Sequence, residues 1–137
     1  MKAKTDKRDT VFSLLIRERA GNCCEKCGRD GSQWVMQCSH IFSRRHKGIR
    51  WHPDNAKCLC FVCHKWWHEN PVESGVWIRN YLGEGFIDLL MEKKNQITKY
   101  TKADKEDIHK HLKAEYKIMM EKRTNGECDR IEFKAFD

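Results

Sequence analysis

The chain has 137 residues, of which 39% are hydrophobic and 34% charged, and its formal net charge is +7. This length predicts a single domain with a modest core, and the large charged fraction places much of the chain at the surface. Residues 31–53 carry Arg44, Arg45, Lys47 and Arg50 but no acidic residue. Such a basic surface favours a polyanionic partner, nucleic acid rather than a membrane, with a generic basic protein as the alternative.

The eight cysteines favour metal binding over disulfides. The only apolar run near the start, residues 11–16, is too short for a signal-peptide core and is interrupted by Ser13. No stretch approaches the roughly 18 apolar residues of a membrane helix. We therefore expect a cytoplasmic protein without a membrane partner, in which Cys-x2-Cys pairs bind metal.

The first third of the chain predicts a helix, a cysteine turn and β-structure. Apolar residues at helical spacing predict a helix over residues 6–20. Cys24 and Cys27, followed by Gly28, predict a turn in which backbone amides approach the thiolates. Residues 33–42 favour a short strand pair that ends near His40.

The middle of the chain predicts a basic loop over residues 43–53, and then a strand over residues 54–59 that leads into Cys60 and Cys63. The default interpretation of this loop is a solvated segment, and the functional one is that its basic side chains contact phosphate. A helix over residues 63–69 would place His64 and His68 on one face, because they are four residues apart.

Three further helices are predicted over residues 71–82, 86–95 and 102–123. Asn70 and Glu73 have the spacing of a capping box, and so do Thr101 and Asp104. In the helix over residues 86–95 we expect Phe86, Leu89, Leu90 and Lys93 on one face. Residues 131–133 are either a strand or part of a tail.

Four cysteines in two Cys-x2-Cys pairs can supply the thiolates of a closed zinc site: Cys24, Cys27, Cys60 and Cys63. Cys58 in place of Cys60 is the alternative. His64 directly follows Cys63, and adjacent residues rarely serve one tetrahedral site, so the histidines are available for a second site.

The order Cys24-x2-Cys27, Ser39-His40-Ile41 and Asn55-x4-Cys60-x2-Cys63-His64 resembles the HNH endonuclease family. Shorter identities, including Ile16–Arg19, Ser32–Trp34 and the segment Leu112–Tyr116, resemble the NinG (Rap) phage recombination endonucleases, and the resemblance covers about residues 12–123. It implies an α+β fold: a small ββα-metal (HNH) core, stapled by a zinc ion on four cysteines and surrounded by several α-helices. One domain is expected over 1–137: an N-terminal helix (1–20), the core (21–70), a helical extension (71–123) and a tail (124–137).

The resemblance also implies the site residues. His40 would be the general base that takes a proton from the attacking water, a task that suits the pKa of histidine. Asn55 would hold the His40 ring or the loop beneath it. His64 would bind one catalytic divalent metal, Mg²⁺ or Mn²⁺, and His68 would be a second ligand or a phosphate contact. The family usually has Asp or His where this chain has Ser39, so the metal relies on His64, His68 and water, or is completed by substrate phosphate.

The expected function is a metal-dependent DNA endonuclease that hydrolyses phosphodiester bonds. By resemblance, its substrate is branched recombination DNA such as a Holliday junction or D-loop, with phage recombination proteins as candidate partners, in the host cell cytoplasm if the chain is phage-encoded. A homodimer would suit a symmetric junction. The rival functions are an HNH nuclease acting on linear duplex DNA and a non-catalytic zinc module that binds DNA.

Overall fold

The computed structural model describes residues 4–136, so residues 1–3 and 137 of the predicted domain lie outside the described part. The described chain is α+β, as predicted, with five α-helices and one sheet of two strands. The elements, in chain order, are α1 (Lys7–Arg19), β1 (Met36–His40), β2 (Ala56–Cys60), α2 (Phe61–Glu69), α3 (Pro71–Leu82), α4 (Glu84–Asn95) and α5 (Lys102–Thr124).

The two strands form an antiparallel pair in which Met36 lies opposite Cys60 and His40 lies opposite Ala56. The predicted strand pair within residues 33–42 is therefore wrong, because β1 pairs with the later strand β2. Cys60 ends β2 and is also the N-cap of α2, its sulfur accepting a hydrogen bond from the Cys63 amide. The start of β1 therefore lies beside the beginning of α2, and α2 contacts β1.

The core forms where α1 packs against both α5 and the sheet. Phe12, Leu15 and Ile16 are fully buried on α1, and Ile108 and Leu112 come from α5. Each such side chain contributes roughly 1.5–3 kcal/mol when it leaves water. The predicted boundaries of α1 and α5 hold because both helices begin with a capping box, Asp6 with Asp9 and Thr101 with Asp104.

One local prediction is wrong, and a second holds only for Leu90 among its apolar residues. Asn70 precedes α3 but makes no side-chain cap, because its amide nitrogen donates to the Trp66 carbonyl. In α4 the packed face contains Ile87 and Leu90, whereas Phe86 is 51% and Leu89 is 57% exposed. The helical period of the apolar residues is compatible with burial of either face of α4. The face that is buried is the one that contacts the short 3₁₀ turn Lys47–Ile49.

The C-terminal segment forms no strand within the described residues, yet it is part of the core. Ile131 and Phe133 are buried, and the Ile131 amide donates to the Arg19 carbonyl at 3.3 Å. The Phe133 ring meets Phe12 edge-on at 6.1 Å. Within residues 4–136, no helix has both the length and the apolar character needed to cross a membrane.

Candidate active site

The four predicted zinc ligands lie together between the turn that follows α1 and the start of α2. The sulfur atoms of Cys24, Cys27, Cys60 and Cys63 all lie within 4.8 Å of one another. The cluster contains Cys60 rather than the alternative Cys58. In both pairs the later amide donates to the earlier sulfur at 3.5 Å, from Cys27 to Cys24 and from Cys63 to Cys60.

The donor set fits a structural zinc ion. Tetrahedral zinc with bonds of about 2.3 Å separates its sulfur ligands by about 3.8 Å, and the sulfurs of Cys27 and Cys60 are 3.7 Å apart. Burial opposes ionisation of Cys27, but hydrogen bonds from the Arg29 amide and the neighbouring thiols lower its pKa to about 6. For Cys63, burial and its bonded neighbours raise the pKa. A divalent cation would favour deprotonation of all four thiols.

Arg29 adds a contact that the sequence did not predict. Its Nη1 atom lies 3.2 Å from the Cys27 sulfur and 3.7 Å from that of Cys60. The guanidinium also stacks over Trp34 at 4.7 Å. Four thiolates around a divalent ion carry excess negative charge, and a cation held here compensates part of it.

A cleft with a volume of about 800 Å³ opens on the other side of the sheet end, between α1, β1 and α2. Histidines 40, 64 and 68, the three that were predicted to have chemical roles, all line it. Arg17 from α1 and Arg44 from the loop after β1 line it as well. The arrangement thus combines imidazoles with positive charge in one concave surface, a setting suited to a phosphodiester.

His40 is the last residue of β1, and its ring is held in a defined tautomer. Its Nε2 lies 3.0 Å from the Arg50 carbonyl oxygen. A carbonyl can only accept, so Nε2 carries the proton and Nδ1 is the basic atom of the ring. Burial lowers the pKa of His40, an effect that the hydrogen bond to the Arg50 carbonyl and the charge of Asp9 partly offset. The imidazole is therefore neutral at pH 7 and can accept a proton.

Asn55 holds the loop rather than the His40 ring. Its Oδ1 accepts from the Phe42 amide at 2.9 Å, while its Nδ2 donates to the carbonyls of Phe42 and Ile49, each at 3.0 Å. The side chain is fully buried. It therefore fixes both ends of the segment that carries the basic residues and leads to Arg50. Of the two roles expected for Asn55, the geometry supports the loop contact.

His64 and His68 form a pair on α2, and Ser39 orients it. The Nε2 atoms of the two rings are 3.2 Å apart, and the Ser39 hydroxyl lies 2.6 Å from His64 Nδ1. Two imidazole ligands with metal bonds of about 2.1 Å are separated by about 3.0–3.4 Å, depending on geometry. The pair therefore fits two ligands of one cation. The buried Ser39 hydroxyl contacts His64 Nδ1 and orients the ring, and a hydroxyl can do so as donor or as acceptor.

The four basic residues of the loop differ in their surroundings. The Arg50 guanidinium is 12% exposed and bonds both carboxylate oxygens of Asp9, at 3.0 and 2.5 Å. It is thus a loop anchor rather than the phosphate contact that was predicted. Arg44 lies 3.6 Å from the same carboxylate and is 27% exposed, while Arg45 and Lys47 are exposed.

Asp9 was missed by the sequence reasoning, although it is central to this side of the cleft. It is buried, and besides Arg50 it accepts from the Trp51 indole at 2.9 Å. Burial opposes its ionisation, but the hydrogen bonds and charge of Arg50 lower its pKa overall. Since the Arg50 carbonyl also accepts from His40, Asp9 fixes the position of the His40 ring indirectly. Asp9 also completes the capping box of α1 with Asp6, and that local spacing carries no sign of this second role.

No protein-family model, curated protein or solved structure matches the chain.

Proposed function

We propose that the protein is a metal-dependent endodeoxyribonuclease with a zinc-stapled ββα-metal (HNH) core. One observation carries the proposal: a proton-accepting His40 and the oriented pair His64 and His68 line the same cationic cleft. The connection of β1, β2 and α2 supports the ββα assignment, and the four-cysteine cluster supports zinc as its structural metal.

His40 would act as general base. Its Nε2 proton is committed to the Arg50 carbonyl, so Nδ1 takes the proton from an attacking water. The lowered pKa keeps the ring ready to accept that proton at neutral pH. Asn55 and Asp9 hold the segment that carries the Arg50 carbonyl, and thereby keep the ring in position.

His64 and His68 would hold the catalytic cation, with water and a substrate phosphate oxygen as the remaining ligands. A bound divalent ion supplies positive charge that stabilises the scissile phosphate and the leaving oxygen. Ser39 would accept the Nδ1 proton of His64 and so present Nε2 to the ion. Imidazole ligands suit transition metals better than Mg²⁺, so we expect Mn²⁺ to support faster cleavage than Mg²⁺.

DNA would be held by the cationic walls of the cleft. Arg17 and Arg44 line it, and the exposed Arg45 and Lys47 extend the positive surface along the loop. These side chains contact phosphates and give affinity without sequence preference. Branched DNA as the substrate rests on the NinG-like residues alone.

The decisive experiment compares cleavage of a four-way junction with that of a matched linear duplex by the wild-type protein, in Mn²⁺ and in Mg²⁺. His40→Ala should abolish cleavage and retain DNA binding. His109→Ala is the matched control, because His109 lies on α5 and does not line the cleft. Zinc content and thermal unfolding of both variants establish that they are folded.

The outcomes separate the candidate functions. Cleavage that is lost only in His40→Ala supports the nuclease. Equal rates on junction and duplex would replace branched DNA with linear duplex as the substrate. Absence of cleavage on every DNA form with several metals would leave a non-catalytic zinc module that binds DNA.

A further inference from the structure

A second cavity, with a volume of about 340 Å³, adjoins the cleft. The two share Ile41, Trp67 and His68, so this side pocket opens directly beside one of the proposed metal ligands. Its volume falls in the range of pockets that bind small molecules. The other lining residues are Phe42, Pro71, Ser74, Gly75, Ile78, Arg79 and Ile87.

The walls of the side pocket suit a flat and largely apolar group. Trp67 and Phe42 are half-buried and supply aromatic surface, and the buried Ile78 and Ile87 supply aliphatic surface. The hydroxyl of Ser74 already donates within α3 and to the end of α2. The lining therefore favours stacking and apolar contact over a dense set of hydrogen bonds.

Positive charge surrounds this apolar pocket. Arg79 is exposed on α3 and lines it. The Lys94 ammonium lies 5.2 Å from the centre of the Phe42 ring, on the neighbouring helix α4. An aromatic group attached to a phosphate chain complements this combination, because the ring would enter the pocket while the phosphates remain near the cations.

Gly75 keeps the pocket open. It lies in the interior of α3, where glycine is less favourable than alanine. Its backbone does not need the left-handed conformation, and an added Cβ would meet nothing within 4 Å. Packing and backbone geometry thus do not require glycine here, but a larger side chain at this position would extend into the pocket.

We propose that the side pocket binds one unpaired nucleobase of the DNA strand whose phosphates occupy the cleft. This inference rests on the proposed nuclease function. It identifies the part of the protein that would select branched DNA as its substrate. A base inside a duplex must be unpaired and unstacked before it can enter, which costs free energy, whereas a base at a branch point or in a single strand has largely lost those contacts. The pocket would therefore favour DNA with unpaired bases next to the cut site.

The test measures binding of two labelled short single strands by fluorescence anisotropy. One strand carries normal bases, and the other has the same phosphate chain with abasic sites. Wild type, Gly75→Leu and Gly75→Ala are compared without added divalent cation and without chelator, so that the strands stay uncut and zinc is retained. Thermal unfolding verifies the fold of each variant.

We expect wild type and Gly75→Ala to prefer the strand with bases by about tenfold, the order of one stacked base. Gly75→Leu should lose this preference while its affinity for the abasic strand is unchanged. An unchanged preference in Gly75→Leu, or no preference in wild type, would overturn the assignment and leave the pocket to an apolar side chain of a protein partner. The readout is binding alone, so a failure of the proposed nuclease function would appear separately, in the cleavage assay.

Discussion

Replacing Asp9 by Asn tests whether the buried ion pair with Arg50 holds the cleft together. The carboxylate is 6% exposed and the guanidinium 12%, so both are largely shielded from solvent. The substitution keeps the shape of the side chain but leaves the Arg50 cation without its counterion. Breaking a buried pair from one side costs about 3–5 kcal/mol, and we expect the low end, about 3 kcal/mol, because Arg50 also donates to the Lys4 carbonyl.

Denaturant unfolding at pH 7 measures the loss in free energy of unfolding, and thermal unfolding measures the accompanying change in Tm. For a chain of this length, about 3 kcal/mol corresponds to a decrease in Tm of about 10 °C. The control is Glu106→Gln, which removes an exposed ion pair with Lys7 and should leave Tm unchanged. A double-mutant cycle with Arg50→Gln should give a coupling free energy of about 2 kcal/mol. A decrease in Tm of less than about 3 °C, or additive effects in the cycle, would refute the assignment of Asp9 as the anchor of Arg50.

Three further predictions concern the metals and the general base. Cys27→Ser should lose the single equivalent of tightly bound zinc and unfold at a lower temperature. Cys128→Ser, at an exposed cysteine outside the cluster, should keep the zinc and the unfolding temperature of the wild type. Metal analysis and thermal unfolding measure these outcomes. Burial lowers the pKa of His40 below 6.5, so cleavage should persist to a pH below 6.5 and decline only as further acidification protonates Nδ1; a profile of kcat against pH at saturating Mn²⁺ measures this. Ser39→Ala should weaken the catalytic metal by about 10–100-fold and leave the zinc content unchanged, because it removes the partner of His64 Nδ1; titration of cleavage with Mn²⁺ measures this.

Each of these has a contradicting result. Retention of zinc by Cys27→Ser would exclude that thiolate as a ligand. An acid limb centred above pH 6.5 would show that His40 is not the group whose ionisation limits the reaction. An unchanged Mn²⁺ requirement in Ser39→Ala would mean that the hydroxyl does not fix the His64 tautomer.

Local chemistry allowed several parts of the molecule to be predicted from the sequence. The boundaries of α1 follow from apolar periodicity and those of α5 from periodicity and a capping box, which are properties of a few neighbouring residues. The four-cysteine cluster also followed from spacing, because a Cys-x2-Cys turn places both sulfurs and its own amides at one point. The spacing from His64 to His68 was enough to place them on one helical face.

Spacing could not predict what depends on contacts between distant segments. Residues 33–42 favoured β-structure, but only the folded chain selected β2 as the partner strand. The packed face of α4 was predicted correctly only for Leu90, since both faces carry apolar residues and the choice depends on what the helix packs against. The buried tail residues Ile131 and Phe133 gave no local signal for the same reason.

The sequence by itself determined which residues could do chemistry: the four thiols, the histidines and a basic loop. The tertiary structure decided how they are combined. In the folded chain the Ser39 hydroxyl contacts His64 Nδ1, and the Arg50 guanidinium pairs with Asp9. The Arg50 carbonyl accepts a hydrogen bond from His40 Nε2. Donor and acceptor types follow from residue identity, but their partners are set by packing between distant segments, as between Asp9 and Arg50, which are 41 residues apart along the chain.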